Sequence, residues 1–131
     1  MRFIILGPPR TKKNHGRLVR AGGRLRLLPS AAHEAWARSA IRQLRTQLRQ
    51  PAIDVPVAVA ATFFRDRNVG DLVNYMQALS DALEKAGVIT NDRLIVSWDR
   101  SRLAKDAQCP RVELEVAPFG APTLPINKLV R

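Results

Sequence analysis

The sequence predicts a single α/β domain of the α+β type, a mixed sheet of four main strands carrying two principal helices. Three observations lead there. Short apolar, β-branched segments alternate with two longer segments whose apolar residues recur at three- and four-residue steps. The 131 residues can bury one modest core but not two. Gly and Pro clusters fall between the segments and supply the turns.

Phe3 to Leu6 reads as a short buried strand stopped by Gly7-Pro8-Pro9. Residues 10 to 16 form a polar basic loop. Arg17 to Arg20 and Arg24 to Leu27 flank Ala21-Gly22-Gly23 as a small hairpin, its arginines alternating with apolar residues so that one face is cationic. Ser30 is placed to cap a helix from Ala31 to about Arg49, with Trp36, Ala40, Leu44 and Leu48 as the buried stripe and Arg38, Arg42, Arg45 and Arg49 on other faces. Val55 to Phe64 reads as a central strand with Pro56 near its start. A second helix from Asp71 to about Ala86 buries Leu72, Tyr75, Met76, Leu79, Leu83 and Ala86, and Gly87 fits the left-handed position that ends it. Leu94 to Trp98 and Val112 to Val116 complete the strands. The domain is expected over 1–117, with 118–131 as a loosely held, Pro-containing tail.

The formal charge of +11 is unevenly placed. Residues 1 to 50 carry 12 Lys and Arg against Glu34 alone, whereas the rest of the chain is balanced. Such a surface favours a polyanion, because each neutralised phosphate releases counterions. An Arg-preferring genome is the plain alternative, but it would not spare the second half. The hydrophobic fraction of 46% excludes wholesale disorder. Cys109 stands alone, so no intrachain disulfide forms, in keeping with a reducing cytoplasm; beside Pro110 it reads as a packed thiol. No apolar run has membrane-spanning length, and the opening run is too short for a signal peptide, so a cytoplasmic protein without a membrane partner is expected.

On the second helix Asp71, Asn74, Ala78, Asp81 and Lys85 share a face. Asp71 and Asn74 lie about 5 Å apart along the axis and can approach one ion, whereas Asp81, about 15 Å away, cannot and suits a surface or intersubunit contact. After the helix the chain reverses through Asn91-Asp92, which could carry Asp92 towards another element's end. Two such carboxylates suit Mg²⁺, which takes hard oxygen ligands and keeps several waters. On spacing alone, an N-cap at Asp71 and an ordinary turn at Asn91-Asp92 explain the same residues.

The ordered set Asp71-Leu72-Val73-Asn74, Asp81-Ala82-Leu83 and Asn91-Asp92 resembles the signature of the RusA family of Holliday junction resolvases, in which Asp-x-Asp-Asn opens a helix, Asp-Ala-Leu follows along it and an acidic pair comes after. Gly7-Pro8-Pro9 followed by Thr11-Lys12-Lys13-Asn14, and the Phe64 to Asp66 stretch, resemble the family too; the likeness covers most of 1–117. It implies a homodimeric, Mg²⁺-dependent nuclease that nicks four-way DNA junctions. Asp71 and Asp92 match catalytic, metal-holding aspartates, and Asn74 matches the motif's asparagine. Asn91 stands where the acidic pair has its first member. Three departures stand out: Val73 replaces the second motif aspartate, Gln77 stands where the best-known member has a catalytically important lysine, and Asn68, Val69 and Gly70 replace arginines common just before the motif. Asp66 or Asn74 would have to compensate for Val73. A junction-binding protein of the same fold with reduced chemistry is therefore the alternative, and a basic domain with a protein partner is a third.

Lys12, Lys13, Asn14, Arg17, Arg20, Arg24 and Arg26 are the expected DNA contacts, positioning the backbone without reading sequence. His15 reads as an exposed loop histidine, His33 as structural or on the surface, and Trp36 and Trp98 as packed.

Overall fold

A computed structural model describes residues 1–12, 17–28 and 30–121. Strands β1 (Arg2–Leu6), β4 (Val57–Arg65), β5 (Ile95–Ser97), β6 (Arg102–Lys105) and β7 (Arg111–Pro118) build one mixed sheet, and β2 (Arg17–Ala21) and β3 (Arg24–Leu28) a separate two-stranded ribbon. In the main sheet β7 lies between β1 and β4, antiparallel to both. β4 then pairs in parallel with β5 near its start and with β6 near its end.

Alternation along the strands sorts the two faces. Phe3 and Ile5 of β1, Val59, Ala61 and Phe63 of β4, and Val112, Leu114 and Val116 of β7 point to one side and are buried. Helices α1 (Ala31–Gln47) and α2 (Leu72–Lys85) cover that side with Trp36, Ala40, Leu44, Tyr75, Leu79 and Leu83. α2 connects β4 to its parallel neighbour β5, so the two ends of α2 lie at opposite ends of β4.

The expected elements are present with shifted ends. α1 stops at Gln47 because Leu48 turns extended ahead of Pro51. β4 begins after Pro56, and a single 3-10 turn at Asp92–Leu94 precedes β5. The additional strand, β6, is four residues with charged ends, too short for periodicity to register. Between β5 and β6 the Ser101 hydroxyl accepts the Ala61 amide at 3.0 Å, closing a gap in the ladder.

The free edge of β1 is sealed by side chains. Gln43 accepts from the Leu6 amide and donates to its carbonyl at 2.7 and 2.9 Å; Gln47 does the same for Ile4 at 2.9 and 2.8 Å. Two glutamines one helical turn apart thus replace a neighbouring strand.

Two expectations change, and one helix face proves partly covered. Cys109 is exposed, because the Asp106 carboxylate accepts the Gln108 and Cys109 amides and folds that segment into an outward turn. Ala78 is buried, so the Asp71 face of α2 is not open throughout. In the ribbon Arg20 pairs across with Leu25 and Arg24 with Ala21, which puts these two exposed arginines on opposite faces. His33 is buried, its Nδ1 3.3 Å from the Arg10 carbonyl. Trp36 is in the core and Trp98 packs against it. Residues 122–131 of the expected tail, and His15, lie outside the described residues.

Candidate active site

Asp71 occupies the N-cap position of α2, yet its side chain makes no capping bond. Its backbone carbonyl accepts the Asn74 and Tyr75 amides at 3.1 and 3.2 Å, and its exposed carboxylate makes no hydrogen bond or ion pair with any described residue. The approach to Asp71 is fixed by its surroundings. Arg65 donates to the Val69 and Gly70 carbonyls at 3.3 and 3.0 Å, and the Tyr75 hydroxyl donates to Val69 at 2.5 Å. Burial pushes the Tyr75 phenol upward, so it stays a donor. Gly70 turns the chain at φ 96°, a conformation that side chains with a Cβ resist.

Asp66, expected as a substitute ligand, is already engaged. Both its oxygens accept from the Arg10 guanidinium, at 2.9 and 3.0 Å. That hydrogen-bonded pair holds the Asp66 carboxyl below its usual range. Asn74 is half-buried and lines a small notch with Lys12, Gln77 and Ala78. Val73 is 68% exposed, its methyl groups facing solvent where a carboxylate is expected.

Asp92 lies at the opposite end of α2. Its amide donates to the Glu84 carboxylate at 2.8 Å, in the last turn of that helix. From Asp71 to Glu84 is about 20 Å along the helix axis. The sheet separates the pair equally: Asp71 follows the end of β4, whereas Asp92 precedes β5 where β5 pairs with the start of β4. One chain therefore does not bring Asp71 and Asp92 to one ion. Among the described residues no cluster of three or more acidic, His or Cys side chains could hold a metal. Asn91 caps the 3-10 turn, its Oδ1 accepting the Arg93 amide at 2.8 Å.

The basic segment is fastened to α2. Lys12 Nζ pairs with Asp81 at 2.9 Å, its stem lying across the middle of the Asp71 face. Arg20 and Arg24 are exposed on the ribbon. Lys13 and Asn14 lie outside the described residues, as do the side chains of Arg17 and Arg26. A groove of about 700 Å³ lies elsewhere, on the uncovered sheet face between Arg2, Arg100, Arg102 and Glu113. Neither Asp71 nor Asp92 lines it.

Sequence reasoning missed Arg10, Arg65 and Tyr75, which hold the Asp71 loop, and Glu84, which holds Asp92. Their partners are backbone carbonyls, an amide and a distant carboxylate, contacts that leave no periodic trace in the chain.

A two-layer α/β domain with a basic N-terminal half and an uncommitted carboxylate at a helix start has the makings of a phosphodiester-cleaving enzyme. The sequence profile of the family described as endodeoxyribonuclease RusA matches residues 7–117, and the chain belongs to that family of DNA-cutting enzymes. A relative, the crossover junction endodeoxyribonuclease RusA of Aquifex aeolicus (strain VF5), is 34% identical over 88 residues, covering 66% of this chain and 69% of the relative.

Proposed function

We propose that the protein is a Mg²⁺-dependent, structure-selective endonuclease that nicks four-way DNA junctions as a homodimer, each site combining Asp71 of one copy with Asp92 of the other. The observation carrying this is the free carboxylate of Asp71 at the start of α2, about 20 Å along that helix from the Asp92 end. The donor set fits magnesium, since one or two carboxylates and an amide suffice for an ion that keeps its waters and takes substrate phosphate oxygens. Asp71 and Asp92 would hold it, with the Asn74 amide assisting. When bound, the ion orients and acidifies water and offsets charge developing on the phosphate.

The chain's own groups do the remaining work. The first-turn amides of α2 and its dipole favour an anion beside Asp71. Arg65 and Tyr75 hold the preceding loop, so the carboxylate is already in place before an ion or substrate arrives. Lys12, Arg20 and Arg24, with Lys13, Asn14, Arg17 and Arg26, would contact the arms. The junction reading is supported by family membership and by the name of the Aquifex relative.

The test is a labelled synthetic four-way junction incubated with and without Mg²⁺. Symmetric nicks that disappear in Asp71→Asn support the reading. Binding without nicking, with cleavage appearing in Val73→Asp, favours the binding-protein alternative suggested by exposed Val73. No preference for the junction over linear duplex at moderate salt sinks both.

A further inference from the structure

α1 carries a feature that the site does not use. Arg38, Arg42 and Arg45 stand at four- and three-residue steps and are all exposed. At about 100° per residue they fall within about 60° of arc, opposite the buried His33, Trp36, Ala40 and Leu44. The guanidinium groups of Arg38 and Arg42 make no hydrogen bond or ion pair with any described residue; the Arg42 backbone carbonyl accepts the Thr46 hydroxyl at 2.9 Å. Arg45 donates to the Lys85 carbonyl at 2.9 Å, at the end of α2. Arg49, past the helix end, folds back on the Thr46 and Leu48 carbonyls at 2.7 and 3.3 Å and closes the row. Glu34, in the first turn, is the one acidic residue on α1.

A charged helix face is ordinarily just solvated. Two features set this one apart. Arg38 to Arg45 spans about 10 Å of helix axis, long enough for the row to meet neighbouring phosphates of one strand of duplex DNA. The row also runs to the end of α2 where Glu84 holds Asp92, since Arg45 reaches the residue next to Glu84.

We infer that Arg38, Arg42 and Arg45 form a track for the phosphate backbone of a duplex DNA arm, leading to the Asp92 end of the site. The track reads no bases; it adds salt-sensitive affinity and fixes the direction in which the arm leaves. It is separate from the loop and ribbon contacts, and it rests on the reading of the protein as a junction nuclease.

The test compares the full-length protein with an Arg38→Gln/Arg42→Gln variant on a linear duplex and on a four-way junction, across a range of salt concentrations. Glutamine keeps the helix propensity, and an unchanged circular dichroism spectrum and melting temperature confirm the fold. Two lost phosphate contacts lower the slope of log affinity against log salt by about 1.8, an affinity loss of about 60-fold at 0.1 M salt if the effect vanishes at 1 M. That loss is expected on both DNAs. An unchanged slope in a variant that still binds overturns the track and leaves the junction reading intact. Absence of junction preference in the unaltered protein overturns the junction reading instead, whatever the slope does.

Discussion

If each metal site draws Asp71 from one copy and Asp92 from the other, two dead variants should repair each other. Asp71→Asn keeps a good N-cap residue at an exposed position, and Asp92→Asn changes a half-buried side chain whose backbone amide, not its carboxylate, makes the structural bond. Both variants should fold and both should fail to nick. Mixed in equal amounts and allowed to exchange, they give about one heterodimer for every two dimers. Each heterodimer holds one site with both aspartates and one with neither, so roughly a quarter of the wild-type sites return. The products should be single nicks rather than paired ones. The assay is junction cleavage after exchange, with differently tagged copies co-purified to prove that mixed dimers formed. Cleavage no higher than that of either variant alone, with exchange proven, refutes the intermolecular site. The magnitude rests on the length of α2: about 20 Å lies far outside the roughly 2.1 Å coordination distance of one magnesium ion.

Three further outcomes follow from the same geometry. Val73→Asp exchanges an exposed side chain in the first helical turn for one that the helix dipole favours by about 0.3–1 kcal/mol, so thermal stability should hold or rise while the Mg²⁺ needed for half-maximal cleavage falls about tenfold or more; calorimetry and a magnesium titration check this. Asp66→Asn removes both charge-assisted bonds to Arg10 and should cost about 1–2 kcal/mol, or about 5 °C in melting temperature at neutral pH. Since the folded Asp66 carboxyl sits below its unfolded value, its contribution is full above pH about 4 and fades as pH falls through the folded value; the variant should lack that part of the acid slope. Leu79→Ala, at a fully buried core position, should cost about 2–5 kcal/mol in urea unfolding.

What the sequence revealed and what it hid divide along the range of the interactions. The stripe Trp36, Ala40, Leu44 was legible because helical periodicity is local, and the order of the main strands' segments followed from β-branched runs and Gly or Pro punctuation. Sheet order was not legible: β7 inserts between β1 and β4, and nothing within a few residues of Val112 encodes that neighbour. The sealing of β1 by Gln43 and Gln47 escaped notice for the same reason, since a glutamine at a helix surface carries no mark of the edge it covers. In the site, Asp71 was visible as a helix start and Asp92 as a turn residue. Their separation was not, because it follows from α2 joining parallel strands and so delivering its ends to opposite sides of the sheet. The motif reads as contiguous in sequence while the fold splits it.

The charge asymmetry acquires a mechanical meaning from two ion pairs. Arg10 is bound to Asp66 at the end of β4, and two residues later Lys12 is bound to Asp81 midway along α2. The segment leading towards the β2–β3 ribbon is thereby pinned to the end of β4 and again to α2, the two elements that flank Asp71. The two pins differ in strength. Arg10 and Asp66 are 20% and 28% exposed and meet through two parallel bonds, whereas Lys12 and Asp81 are 49% and 32% exposed and share one. The first should survive physiological salt; the second, worth about 1 kcal/mol or less, should open readily. If Lys12 contacts DNA as proposed, an arriving phosphate would draw it away from Asp81 at little cost while Arg10 keeps the segment in place. That release would offer an ammonium group on the same helix face as Gln77, where the resemblance expects a lysine.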